Sequence, residues 1–169
     1  NHPEIALDLI AHTNENTIQK VIDGTIDIGI IYSKTRHPMV EYELLQEDYF
    51  VLVGRKDLDT IDLNALKGGN FLFLDWGKPF MTWFNEIVGP HFIPAFKINQ
   101  TALVVKYLKS GDYFGFVPKS FVAPYLKDGE LQELDHKFSS TLPRFNTYVI
   151  YLKNKNQLAT DLFLERLRK

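Results

Sequence analysis

Residues 24–32 constrain this chain more than any other stretch. Gly24 closes one element, and a short apolar, β-branched run follows in Ile26, Ile28, Ile30 and Ile31. So little polar surface suits a strand buried on both faces. Ahead of it, residues 14–23 place Ile18, Val21 and Ile22 at i, i+3 and i+4, the stripe of an amphipathic helix. Thr13 or Asn14 suits the cap of that helix, and Gly24 suits its C′ position, where φ is positive. Further back, residues 5–11 read as another strand, with Ile5, Leu7 and Leu9 at period two. Strand, helix and strand in that order predict a parallel βαβ unit with helices over a sheet.

The pattern continues along the chain. Residues 42–46 and 48–54 read as strands, the second stopped by Gly54. Residues 55–62 are charged and turn-like, and 63–66 make one helical turn. Phe71-Leu72-Phe73-Leu74 is a short, wholly apolar strand running into Asp75-Trp76-Gly77-Lys78-Pro79, where Pro79 fits the first position of a helix. That helix carries Phe80, Trp83, Phe84, Ile87 and Val88 at helical spacing until Gly89-Pro90 stops it. A strand at 96–99 leads to a helix at 102–110, and residues 114–118 are the next buried strand. A helix starts at Lys119, with Pro124 set to end or kink it. Asp128-Gly129 signals a turn before 130–134. Residues 148–152 are the last strand. The closing helix carries Leu158, Leu162, Phe163 and Leu167, with Arg166, Arg168 and Lys169 at its C-terminal dipole end. This order fits an α/β chain of two lobes joined by two crossing strands, one at 47–53 and one after Tyr148. The first lobe is set at 1–48 and the second at 49–152, with 153–169 a C-terminal helix returning to the first.

At 169 residues the chain makes one compact domain or two small lobes. Its 13 Phe, 8 Tyr and 2 Trp exclude a disordered chain. A formal net charge of −2, with no long Lys/Arg cluster, argues against a phosphate-backbone binder. Without cysteine there is no disulfide, thiolate metal site or cysteine nucleophile. The 5 histidines lack metal-ligand spacing and no HExxH occurs, so no metal or other cofactor is expected. Gly68-Gly69 is not followed by GK[ST], and no G-x-S-x-G elbow occurs. Asp57, Asp59 and Asp62 lack the glycine and terminal Glu of a calcium loop. Asp23 and Asp27 fit a solvated helix end and a strand start better than an acid/base pair. An enzyme is therefore not expected. No apolar run approaches the ~18 residues of a membrane span. Asn1-His2-Pro3-Glu4 is no signal peptide, and a strand beginning at Ile5 reads as a piece cut from a longer protein.

Set in order along the chain are Pro3-x-Ile5-x-Leu7-x-Leu9, then Val21-Ile22-Asp23-Gly24-Thr25-Ile26-Asp27-Ile28-Gly29-Ile30, then Phe50-Val51-Leu52-Val53. Leu108-x-x-Gly111-x-x-x-Gly115-Phe116-Val117-Pro118 and Asp128-Gly129-Glu130-Leu131 follow. This set resembles the effector-binding domain of LysR-type transcriptional regulators. In that family a G-x-[LI]-D step opens a strand of the first subdomain, a G-x-G-[IF]-x-x-[LV]-P step lies in the second, and a G-x-L turn follows. Each motif alone is weak; their order over nearly the whole chain is specific. The chain departs from the pattern by setting Gly111 and Gly115 further apart. The resemblance implies a fold like type 2 periplasmic binding proteins, two α/β lobes with a ligand cleft between them. It also implies an incomplete first lobe, since the family's winged helix-turn-helix, linker helix, and first strand and helix of the first subdomain are absent. It implies a cytoplasmic homodimer that reaches DNA only through that helix-turn-helix, with no membrane contact. A solute-binding protein of a transport system, which shares the fold, is the alternative.

Ligands of open α/β sheets sit beyond the C-terminal ends of strands, where helix N-termini present N–H groups. Three turns qualify here: His12-Thr13-Asn14, Asp75-Trp76-Gly77-Lys78 and Asn99-Gln100-Thr101. By order in the chain they correspond to turns lining the effector cleft of the resembled family. The expected effector contacts are Thr13, Asn14, Asp75, Trp76, Gly77, Asn99, Gln100 and Thr101. Helix N-termini favour anions, so the expected effector is a small, carboxylate-bearing metabolite. Thr13, Asn14, Asn99 and Thr101 also suit ordinary N-caps, and one turn can serve both purposes. Trp76 is either a flat wall for an apolar or aromatic effector or a ring packed over the lobe interface. Trp83 and Phe84, on a helical stripe, read as core.

Overall fold

The structure, a computed structural model, describes residues 6–32, 37–55, 60–138, 140–153 and 158–167. Pro3, Ile5, residues 33–36, residues 56–59 of the 55–62 turn (Asp57 and Asp59 among them), Arg168 and Lys169 lie outside the described residues. In chain order the elements are α1 (Asn14–Ile22), β1 (Ile28–Ile31), β2 (Val40–Gln46), β3 (Phe50–Gly54), a 3-10 turn (Ala65–Lys67) and β4 (Phe71–Leu74). Then come α2 (Lys78–Val88), β5 (Phe96–Ile98), α3 (Thr101–Ser110), β6 (Phe114–Pro118), α4 (Lys119–Lys127), β7 (Gln132–Glu133), β8 (Thr147–Leu152) and α5 (Leu158–Leu167). They form two compact units. One is Asn1–Glu47 with Asn146–Lys169, and the other is Asp48–Phe145.

In the first unit β1, β8 and β2 form a sheet in that order, with both pairings antiparallel. The parallel βαβ expectation is therefore overturned. β1 runs Ile28 against Tyr151 and Ile31 against Tyr148. Residues 6–11 take no regular structure and are exposed, Leu9 at 97%. Nor is β1 buried on both faces. Gly29 and Ile31 point inward while Ile30 is 43% exposed, the alternation of an antiparallel sheet with a single core face. The helix expectation holds at α1, whose cap is Thr13 and whose following Gly24 has φ 75°. Val21 on α1 is fully buried with Ile31, Val40 and Ile150. β8 belongs to this unit, not to the second lobe where the 49–152 boundary placed it, because both its partners lie here. α5 buries Thr160 and Leu164, and Leu158, expected on its apolar stripe, is 77% exposed.

The second unit holds a sheet ordered β5-β4-β6-β3-β7. β4 is parallel to β5 and β6; β3 is antiparallel to β6 and β7. Strand alternation sorts its residues into two cores. Phe50, Leu52, Phe71, Phe73, Phe114 and Phe116 face α2, whose Phe80, Trp83 and Phe84 pack on them. Val51, Val53, Leu72, Leu74 and Val117 face Val104 and Leu108 of α3 and Val122 of α4. One face is thus aromatic and the other aliphatic. β3, β4 and β6 are buried throughout, which explains their unbroken apolar runs. Pro79 stands second in α2, after Lys78, where its missing N–H costs no helical bond. Pro124 does not end α4. It removes the bond to the Ser120 carbonyl, and the helix continues to Lys127.

Candidate functional site

The parallel register sets Leu74 of β4 beside Ile98 of β5, so the turns after these strands are neighbours. α2 leaves toward the aromatic core and α3 toward the aliphatic one. Two adjacent parallel strands whose helices depart to opposite faces make a topological switch point, where open sheets present a crevice. The structure therefore brings Asp75, Trp76 and Gly77 together with Asn99, Gln100 and Thr101.

The two turns differ electrically. In the first, Asp75 Oδ1 accepts from the Gly77 N–H at 2.8 Å, and Gly77 has φ 95°. The chain's own carboxylate thus already sits at the α2 N-terminus. In the second, the N-cap of α3 is Gln100, which makes no side-chain capping bond, and no acid stands in the first turn. Neither Asn99 nor Thr101 is the cap, contrary to the capping expectation at those positions. At the start of α3 the Leu103 N–H donates to the Gln100 carbonyl at 3.1 Å, and the N–H groups of Thr101 and Ala102, which precede any intrahelical acceptor, carry the positive end of the helix dipole. Asn99 and Gln100 are exposed and Thr101 half-buried.

A further strand-to-helix turn, β6 to α4, lies outside the three that the sequence pointed to. There the Ser120 N–H donates to Asp48 Oδ2 at 3.2 Å and the Lys119 N–H to the Tyr49 carbonyl at 3.0 Å. Asp48 is buried, and its Oδ1 accepts from the Tyr49 N–H at 2.8 Å. A carboxylate of the chain occupies the place an anion would take. The side chain of Lys119 lies 2.9 Å from Glu133 and over the Tyr49 ring, and bonds to Tyr49 and Glu133 hold its ammonium above the usual lysine range. No local signal links Asp48 to α4, since the partners are far apart in sequence.

Trp76 packs within the second unit. Its Nε1–H donates to the Phe116 carbonyl at 2.8 Å. Its ring meets Phe50, Phe121 and Phe145 edge-on, at 5.9, 5.6 and 5.7 Å between centroids. Trp83 and Phe84 are buried core, as expected.

Thr13 and Asn14 belong to the first unit. Thr13 Oγ1 accepts from the Asn16 N–H at 3.3 Å, an ordinary cap. Asn14 Oδ1 accepts from the Tyr32 N–H at 3.3 Å, tying the start of α1 to the end of β1. Asp23 Oδ1 accepts from the Thr25 N–H at 2.9 Å, and hydrogen bonds from Thr25 hold its carboxyl below the usual range. Among the described residues no group of three or more His, Asp or Glu side chains is placed to hold a metal ion. No helix among them is long and apolar enough to cross a membrane.

The sequence-family model described as LysR substrate binding domain matches residues 1–169. A search of curated protein sequences gives no significant match. Among solved structures, the regulatory domain of Synechocystis PCC6803 CcmR in complex with 2-PG is 16% identical, with a TM-score of 0.72 over 99% of this chain and 84% of that one. The regulatory domain of MetR, a LysR family regulator from N. meningitidis, is 15% identical, with a TM-score of 0.71 over 98% of this chain and 80% of that one. Full-length HypT from Salmonella typhimurium, a hypochlorite-specific LysR-type transcriptional regulator, is 14% identical, with a TM-score of 0.77 over 98% of this chain and 59% of that one. At such identities the likeness is one of fold, an α/β fold of the periplasmic-binding-protein kind.

Proposed function

Since the chain belongs to the LysR substrate-binding-domain family, and is thus an effector-binding regulatory domain of a LysR-type regulator, we propose that it senses a small anion at the strand ends of its second unit. The match spans the whole chain, so the transport-protein alternative is set aside. The observation that carries the reading is the start of α3, which has neither a capping side chain nor a first-turn acid and stands beside the β4 turn. Asn99, Gln100 and Thr101 supply its donors, with Asp75, Trp76 and Gly77 as the adjoining wall. A carboxylate or similar anion matches such N–H groups. Effector binding shifts the population of regulator states only by its differential affinity for them. The shift reaches DNA through a helix-turn-helix carried elsewhere in the parent protein, a cytoplasmic homodimer.

Isothermal titration tests this with 2-PG and a set of small mono- and dicarboxylates. Saturable binding is expected for at least one of them. Thr101→Pro is the decisive variant. Proline is tolerated at the first helical position, and Gln100, at φ −126° and ψ 119°, already has the extended backbone a following proline requires. The substitution keeps α3 and deletes one N–H. A charge-assisted bond of about 1.5–3 kcal/mol is lost, so affinity falls by about ten- to a hundredfold. Binding untouched by Thr101→Pro puts the effector elsewhere.

A further inference from the structure

Glu43 of β2 and Val149 of β8 stand opposite each other in register, so both point to one face of the first unit's sheet. Ile150, next along β8, points to the other face and joins the core with Val21 of α1. On the Val149 face, Leu164 and Leu167 of the last turn of α5 close a cavity of about 190 Å³ with Glu43, Leu44, Leu45 and Val149. Two successive leucines reach it because the pairing of β2 shifts between Leu44 and Gln46, which breaks the strict alternation of the strand. Val149 and Leu164 are buried and Leu44 is 47% exposed, so the cavity has a dry floor and an edge that meets solvent. Its lining carries one charge. Glu43 is half-buried, and its Oε2 accepts from the Tyr151 hydroxyl at 3.5 Å. A carboxylate has about four acceptor positions, which one long bond does not exhaust. Among the described residues no Lys, Arg or His lines the cavity, and Arg166 of the same helical turn is exposed. The last turn of a helix is also the negative end of its dipole.

We propose that this cavity beneath α5 is a second ligand site, in the first unit, which takes a compact ammonium on a branched aliphatic body. Leu44, Leu45, Val149, Leu164 and Leu167 hold the body, and Glu43 accepts from the ammonium. The proposal goes beyond the anion reading of the second unit and does not depend on it. Size sets the ligand. An apolar cavity of about 150 Å³ takes benzene, so this one holds about six to eight non-hydrogen atoms. Charge sets the head group. A half-buried carboxylate and a helix C-terminus both favour a cation and disfavour the small carboxylates that suit a helix N-terminus.

The test uses three probes that share one body: 3-methylbutylamine, 3-methylbutanol and 3-methylbutanoate. Calorimetry on the whole chain at neutral pH is expected to show saturable binding of the amine, about tenfold tighter than that of the alcohol. Methyl resonances place the ligand. Those of Val149, Leu164 and Leu167 are expected to shift with the amine, while those of Leu72 and Val104 in the second unit stay in place. The carboxylate is expected to leave the Val149 and Leu164 methyls unmoved. Glu43→Gln keeps the shape of the lining and removes its charge, so amine affinity falls to that of the alcohol and alcohol binding is unchanged. No saturable binding of the amine, or binding that leaves the Val149 and Leu164 methyls unmoved, overturns the site. An amine advantage that survives Glu43→Gln, or a carboxylate that moves the same methyls as the amine does, overturns the role of Glu43. If Glu43→Gln does not fold, the wild-type ratio of amine to alcohol affinity and the methyl shifts decide, and equal affinities overturn the proposal.

Discussion

At Gly115 a Cβ would lie 2.8 Å from the Leu72 carbonyl oxygen, a backbone atom of the neighbouring strand. At Gly29 it would lie 2.5 Å from Thr17 Cγ2 and 2.9 Å from Ile150 Cγ1, both side-chain atoms. Both glycines permit close approach, of β4 to β6 in one case and of α1 to β1 in the other. They differ in what can yield. Gly115→Ala must push β4 and β6 away from each other, and a loss of about 1–3 kcal/mol is expected in chemical denaturation, with no single side-chain change restoring it. Gly29→Ala is expected to be partly rescued by Thr17→Ser. The serine drops Cγ2 while keeping the Oγ bond that Thr17 makes to the Thr13 carbonyl at 2.9 Å. A double-mutant cycle reads the coupling, and purely additive losses would show that α1 adjusts as a whole body. Neither contact was legible in the sequence. Gly29 stood there as one letter of a strand motif and Gly115 as one of a second. The atoms that make each irreplaceable belong to other elements.

Among elements, α4 shows how distant residues set a helix start. Proline at its N-cap position offers no side-chain acceptor, and Asp48 supplies one from the start of the second unit. Asp48→Ala is expected to fray the first turn, at about 0.5–2 kcal/mol, with faster amide exchange at Ser120 and unchanged exchange in α3. Equal acceleration in both helices would mean that Asp48 acts on the whole unit. Local elements were readable wherever their causes were local. α1 carries its own cap and stripe; β4 and β6 carry apolar runs; α2 begins after Gly77 and ends at Gly89. What failed depended on partners. The isoleucines of β1 suggested a parallel strand, yet its partner is β8, far along the chain, and lies antiparallel. The alternation in residues 6–11 is a true strand pattern, but pairing, not pattern, makes a strand. The candidate site was legible as three turns. Which of them is left without a side-chain acceptor was not: Thr13 caps the first and Asp75 accepts within the second, while Gln100 at the third makes no capping bond.

Across the whole molecule the two units differ in continuity. The second is one stretch, Asp48–Phe145, with helices on both faces of a five-stranded sheet. Its ends are already joined. The Phe145 N–H donates to the Asp48 carbonyl at 2.8 Å and the Phe50 N–H to the Pro143 carbonyl at 3.2 Å. The first unit is split, and its middle strand β8 comes from the far end of the chain. β1 and β2 each pair with β8. A fragment of residues 48–145 is therefore expected to fold alone and melt cooperatively by circular dichroism. A fragment of residues 1–47 is expected to stay unfolded, because its strands lack their common partner. The same asymmetry predicts order in folding, since closing β8 onto β1 brings together segments more widely separated than any strand pair of the second unit. Both tryptophans, Trp76 and Trp83, lie in the second unit, so fluorescence excited selectively at tryptophan reports on it. In refolding, tryptophan fluorescence should recover before the amides of β1 and β8 gain protection from exchange. Simultaneous recovery, with a 48–145 fragment that remains a coil, would show that the second unit depends on the first for its stability.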